Sequence, residues 1–122
     1  MIRIAAFACR CQEIDELYPI RYNSFMKYIV EKLDSFDDWL RSLRDIRAKV
    51  AIARRIDRAE SGNFGDHKAV GEGVSEMRVD IGKGYRVYYT IRQQRIVFLL
   101  CGGNKVTQND DIKRAIKLAR EI

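Results

Sequence analysis

Hydrophobic and polar positions alternate with period two over much of Val74–Cys101, VSEMRVDIGKGYRVYYTIRQQRIVFLLC, and the chain is organised around that stretch. Met77, Val79 and Ile81 point one way and Glu76, Arg78 and Asp80 the other, the signature of a half-buried strand. Gly82-Lys83-Gly84 supplies a turn. The run from Tyr85 is dense in aromatic and β-branched residues. Alternation sends Arg86, Tyr88 and Thr90 to one face and Tyr85, Val87, Tyr89 and Ile91 to the other. After a polar break at Arg92-Gln93-Gln94, the run IVFLLC is apolar throughout, as in a strand covered on both faces. The pattern predicts a three-stranded meander in which Arg78 and Arg86 share a face across neighbouring strands.

Upstream, the segment MKYIVEKL from Met26 predicts a first strand. Asp34 or Ser35 can cap a short helix whose apolar residues Phe36, Trp39, Leu40 and Leu43 recur at helical spacing. After a break near Arg44-Asp45, Ile46, Val50, Ala53 and Ile56 predict the buried stripe of a second helix running to about Glu60. Arg47, Arg54, Arg55 and Arg58 lie away from that stripe, and Ser61-Gly62 ends the helix. Asn63–Gly73, NFGDHKAVGEG, reads as a glycine-rich connection holding the single histidine, His67, and Lys68. It lacks the strand before and helix after that a nucleotide-phosphate loop requires. Past the meander, Gly102-Gly103 is expected to let the backbone turn out of the sheet. Thr107 or Asn109 then caps a last helix, with Asp110 and Asp111 in its first turn and Ile112, Ala115, Ile116 and Ala119 as its buried stripe. A lone first strand would leave its backbone groups unpaired, so it must join the meander. The expectation is an α+β fold ordered strand, helix, helix, three strands, helix, with a mostly antiparallel sheet and a helical hairpin on one face.

At 122 residues the chain has room for one domain with a core. Residues 1–25 differ from the rest: they hold the only proline, Pro19, and no sustained period, so they read as an N-terminal extension ahead of a domain over 26–122. Their charges cancel, Arg3, Arg10 and Arg21 against Glu13, Asp15 and Glu16, and the formal net charge of +6 belongs to the remainder. An excess of 23 Lys and Arg over 17 Asp and Glu favours a polyanionic partner. Cys9, Cys11 and Cys101 form neither an even disulfide framework nor a zinc pattern, which reads as a reduced, cytoplasmic chain without a metal. No apolar run is long enough to span a bilayer, so no membrane partner is expected.

The runs GNFGDHKAVGEGVSEMRVDIGKGYRVYYT and VFLLCGGNKVTQNDDIKRA resemble the RelE/ParE superfamily of bacterial toxins, in particular its HigB-like, phage-derived addiction module killer branch. The resemblance extends from about Met26 to the C-terminus. It implies a RelE-like fold, a toxin of a type II toxin-antitoxin system, and a cognate antitoxin of the helix-turn-helix kind. For many members it also implies cleavage of messenger RNA on the ribosome, and hence inhibition of translation.

Cleaving RNA by its own 2′-hydroxyl needs in-line geometry, an acceptor for the hydroxyl proton, a donor to the leaving 5′-oxygen and cations on the phosphate. It needs no metal and no cofactor. Arginine suits the phosphate because its planar fork donates two hydrogen bonds and keeps its charge. Arg78 and Arg86 match basic positions of the family's second and third strands, and Lys105 matches one that follows the last strand. Tyr88, on the Arg86 face, is a candidate to stack on a base or relay a proton. These four are the candidate catalytic residues; Lys68, His67, Arg54 and Arg58 are candidate RNA contacts. Glu76 is either a general base or an ion-pair partner of Arg78. Cys101, with no histidine to activate it, reads as packing. Two other functions fit the superfamily: a ParE-like inhibitor of DNA gyrase, which would depend on the helical hairpin, and a non-catalytic antitoxin-binding module.

Overall fold

The structure, a computed structural model, describes residues 27–122. Its centre is built by the two strands with the most apolar sequences. β4 (Tyr85–Arg92) and β5 (Ile96–Asn104) pair antiparallel through a tight turn in which Gln93 and Gln94 have φ of 57° and 55°. Two positive φ angles in succession match the turn to the twist of the strands. β3 (Val74–Val79) lies antiparallel beside β4, and β1 (Ile29–Lys32) runs parallel to β5. The first strand therefore joins the meander, as its backbone requires.

The connection expected over Asn63–Gly73 instead contains a fifth strand, β2 (His67–Gly71), paired antiparallel with β3 at the sheet edge. The sheet order is β1-β5-β4-β3-β2. β2 exposes most of its side chains, so backbone pairing alone defines it, and a hydrophobic pattern carries no trace of that.

Helices α1 (Asp34–Ser42) and α2 (Ile46–Glu60) cover one sheet face, and α3 (Gln108–Glu121) covers the other. Under the hairpin, Phe36, Ala48, Ile52, Ile56 and Ala59 pack on Met77, Val79, Tyr85, Val87, Tyr89, Val97 and Leu99. Each large side chain among them contributes about 1.5–3 kcal/mol by leaving water. Asp45 caps α2, its carboxylate accepting from the backbone N–H of Arg47 and Ala48. α1 starts without a side-chain cap, and Ser35, expected as a cap, donates its hydroxyl to the Leu100 carbonyl instead.

The phase of α2 differs from the expected stripe. Ala48, Ile52, Ile56 and Ala59 are buried, whereas Ile46 is 74% exposed and Val50 45%. The misleading residue is Arg55, which shares the buried side. Its guanidinium donates to the backbone carbonyls of Arg78, Phe64 and Asp66, so the side chain is a clamp from the helix onto the end of β3. An arginine inside an apolar stripe hides the stripe.

Gly102 and Gly103 also differ from expectation, because β5 continues through both. Their lack of a Cβ serves close approach. A Cβ on Gly102 would collide with the Trp39 ring, and one on Gly103 would overlap the Asp111 carboxylate. The two glycines seat α1 on one face and α3 on the other.

Between them and the core, Leu100 is an extra residue: Tyr88 pairs with Cys101, but Tyr89 pairs with Leu99. This bulge exchanges the faces of everything that follows it in β5. Val97 and Leu99 face the hairpin before it, whereas Cys101 and Gly103 face α3 after it.

The expected N-terminal extension, Cys9, Cys11 and the expected domain start at Met26 lie outside the described residues.

Candidate functional site

The sheet register assembles the site. Arg78 on β3 stands directly opposite Arg86 on β4, and Arg86 opposite Gly103 on β5. One row along the same face, Lys68, Glu76, Tyr88 and Cys101 line up across four strands. Like charges facing one another across strands destabilise a sheet unless something compensates them. Here the compensation is Glu76, 1% exposed, whose Oε2 lies 3.2 Å from Arg78 Nε and 3.5 Å from Arg86 Nε. Neither nitrogen points at that oxygen well enough to count as hydrogen-bonded, so both contacts are ionic. The carboxylate's hydrogen bond goes elsewhere: Oε1 accepts from Gln108 Nε2 at 3.0 Å. Glu76 is thus the structural ion-pair partner of the two alternatives open in the sequence, and it serves both arginines.

Arg86 is 13% exposed and Arg78 39%. Together with Lys105 they line a cleft of about 220 Å³ whose wall also includes Asp66, Asp80, Gly84 and Tyr85. Pockets that enclose drug-sized ligands run about 300–1,000 Å³. The cleft, with three cationic side chains in its lining, suits a phosphate-sized anionic part of a ligand. Among the described residues, the side-chain polar atoms that are buried without a hydrogen bond are Arg55 Nε, Glu76 Oε2, Arg78 Nε, Arg86 Nε and Tyr88 OH. Four of these five belong to this one place, three of them joined by the ion pairs and the fourth the Tyr88 hydroxyl.

Tyr88 is fully buried, so the base stacking expected of it has no exposed ring to use. Burial first, then the Glu76 and Asp111 carboxylates, push its phenol well above the ordinary tyrosine range. At neutral pH its hydroxyl can donate and cannot act as a base. Cys101 is likewise buried, its thiol pushed up to about 11 by burial, which agrees with packing and not nucleophilic attack.

Of the residues expected from sequence, Arg78, Arg86 and Lys105 come together. Lys68 shares their sheet face, opposite Glu76, but stands exposed outside the cleft lining. His67 does not join them. Its partner across β3 is Met77, which puts it on the hairpin face, where Nδ1 meets the Gly65 carbonyl at 2.8 Å and the ring abuts Phe64. Period-two alternation separates adjacent His67 and Lys68, a separation hidden while β2 is read as a loop. Arg54 and Arg58 are exposed on α2, which covers the face opposite the cleft. The residue that sequence reasoning missed is Gln108. It is the first residue of α3, where composition signals only a helix start, and its long-range partner is 32 positions away.

Among the described residues, no group of three or more His, Cys, Asp or Glu side chains is arranged to hold a metal ion. No described helix is long and apolar enough to cross a membrane.

The site lies wholly within the stretch of the chain that comparison with known proteins covers. The protein-family model described as phage derived protein Gp49-like (DUF891) matches residues 38–122. An uncharacterized protein of Haemophilus influenzae (strain Rd) is 51% identical over 88 residues, covering 72% of this chain and 89% of the relative. With the match running from within α1 through β2–β5 to the end of α3, the chain belongs to the phage-derived Gp49-like family.

Proposed function

We propose that the protein is the toxin of a type II toxin-antitoxin pair, of the RelE/ParE superfamily and its HigB-like branch. It acts in the cytoplasm as an endoribonuclease on messenger RNA held in the ribosome, and an antitoxin is its protein partner. The observation that carries this reading is the convergence of Arg78, Arg86 and Lys105 on one phosphate-sized cleft above a buried carboxylate.

The chemistry follows from that set. The RNA 2′-oxygen attacks the neighbouring phosphorus, the 2′-O–P bond forms, the P–5′-O bond breaks, and a proton moves from the 2′-hydroxyl toward the departing 5′-oxygen. Negative charge grows on the phosphoryl oxygens, and two guanidinium groups fixed beside it stabilise that charge without reorganising. Lys105 is the cleft's proton donor to the 5′-oxygen, and the rim carboxylates Asp66 and Asp80 are its proton acceptors. The ribosome supplies the in-line positioning that this small open cleft cannot.

A gyrase-directed reading has one observation in its favour: Ile46 and Val50 form an exposed apolar stripe on α2 of the hairpin. The test separates the two. The chain, its Arg86→Ala variant and its Val50→Glu variant are each induced, growth is scored, and messenger RNA 5′ ends are mapped with translation running and blocked. New 5′ ends that require translation and Arg86 support the ribonuclease, with a loss of about 10²–10³ in cleavage for Arg86→Ala. Growth arrest with intact messages, abolished by Val50→Glu and not by Arg86→Ala, would replace it with the gyrase reading.

A further inference from the structure

We propose that Gln108 is the positioning residue of the cleft. By holding one oxygen of Glu76, it aims the other at Arg78 and Arg86 and presents their two guanidinium groups as a single receptor for a tetrahedral oxyanion. The inference rests on the ribonuclease reading only where it names that oxyanion as an RNA phosphodiester.

The terminal torsion of a glutamate is broad and roughly two-fold, so a buried carboxylate with nothing to hold it can turn either oxygen toward its cations. In this site the choice is made. Oε1 accepts from the Gln108 amide at 3.0 Å, and Oε2 alone is left for both arginine Nε atoms. Each guanidinium thus meets the carboxylate along its Nε edge. Both arginines also line the cleft, where a guanidinium's remaining donors suit an oxyanion. A neutral donor is the right chemistry for the brace. An arginine or lysine at position 108 would take up the carboxylate's charge and release the pair it gathers.

Gln108 is itself held in place. The Asn104 side-chain oxygen accepts from the backbone N–H of Val106 and Thr107, and the Thr107 hydroxyl donates to Asp111. Gly103 leaves room for that carboxylate. The short segment from Asn104 to Gln108 therefore does two jobs at fixed spacing: it brings Lys105 to the cleft and sets an amide against the carboxylate beneath the arginines.

The experiment uses the full chain and inorganic sulfate, whose charge does not change between about pH 5 and 8. Sulfate is titrated while the Nε–H resonances of Arg78 and Arg86 are followed by nitrogen-15 NMR, for the wild type, Gln108→Met and Gln108→Glu. In the wild type both arginine signals move together with one dissociation constant. Gln108→Met keeps the length and removes the donor, and weakens sulfate binding about ten- to a hundredfold. Gln108→Glu sets a second carboxyl beside Glu76, and two adjacent carboxylates resist double ionisation. The titratable and charged groups around that position are Lys68 on β2, Glu76 and Arg78 on β3, Arg86 and Tyr88 on β4, Cys101 on β5 and Asp111 on α3. Sulfate binding by Gln108→Glu is therefore weak at about pH 8 and recovers about tenfold by about pH 5, where the added carboxyl donates as the amide did; wild-type affinity stays flat.

Wild-type arginine signals that ignore sulfate would overturn both the cleft as an oxyanion site and the function proposed for it. Wild-type binding matched by Gln108→Met would overturn this inference alone. If Gln108→Met does not fold, sulfate binding by Gln108→Glu that is independent of pH overturns it equally.

Discussion

Strands β3 and β4 give Met77, Val79, Tyr85, Val87 and Tyr89 to the hairpin face and Glu76, Arg78, Arg86 and Tyr88 to the α3 face. The first set meets helices and the connection after α2 through aliphatic and ring contacts, including Phe64 of that connection stacked on Tyr89 with centroids 5.1 Å apart. The second is apolar only where α3 lies over it, and at the open end turns into an ion cluster with polar atoms that lack hydrogen bonds. The same backbone thus supports two environments, with period-two alternation as the partition. The two faces divide the labour: the hairpin face carries stability, and the α3 face tolerates the crowding of like charges that a binding cleft needs.

Substitutions on opposite sides of the sheet can break that contrast. The largest effect belongs to the hairpin side, where Ile52→Ala in the fully buried stripe costs about 2–5 kcal/mol in denaturant unfolding. A loss under about 1 kcal/mol would mean the hairpin is not the stabilising layer. Next comes Lys105→Ala in the cleft, with stability unchanged within about 0.5 kcal/mol and messenger RNA cleavage lowered about hundredfold. A fall in unfolding midpoint parallel to the fall in cleavage would erase the division.

The smallest effect sharpens the boundary between the two environments. Burial raises the Cys101 thiol from an ordinary 9.0 to about 11 in the folded chain, so its contribution is fully present below about pH 9 and lost as pH rises through about 11. Tyr88, raised by burial in the same direction, adds to that loss above about pH 10. Folding stability measured from about pH 8 to 11.5 should fall by roughly 2–3 kcal/mol through Cys101 alone, with the Tyr88 loss added above about pH 10, and Cys101→Ala should flatten the lower part of the curve. A curve unaffected by Cys101→Ala would show that the thiol is open to water.

Much of the fold was legible because alternation and helical spacing are physical consequences of burial. The faces of Arg78, Arg86, Tyr85 and Met77 follow from counting by two, and so does the pairing of both arginines. Three features escaped because their causes are not burial. β2 is specified by its backbone pairing with β3. The phase of α2 was masked by Arg55, whose guanidinium is taken up by carbonyls inside the apolar stripe. The Gln108–Glu76 contact depends on where the end of β5 is aimed, and a run as uniformly apolar as IVFLLC gives no sign of the irregularity that aims it. In the cleft, residue type identified the cations; only register could separate Lys68 from His67.

The added residue at Leu100 has a consequence for how this chain can vary in length. Downstream of it, Cys101, Gly103, Lys105 and Gln108 are counted from the bulge and no longer from the apolar strand that precedes it. Insertion or loss of a single amino acid between Leu100 and Asn104 would swap which glycine meets Trp39 and which meets Asp111, and would turn the cleft's lysine toward the wrong side. The end of that strand can therefore change length without disturbing either seat only in steps of two.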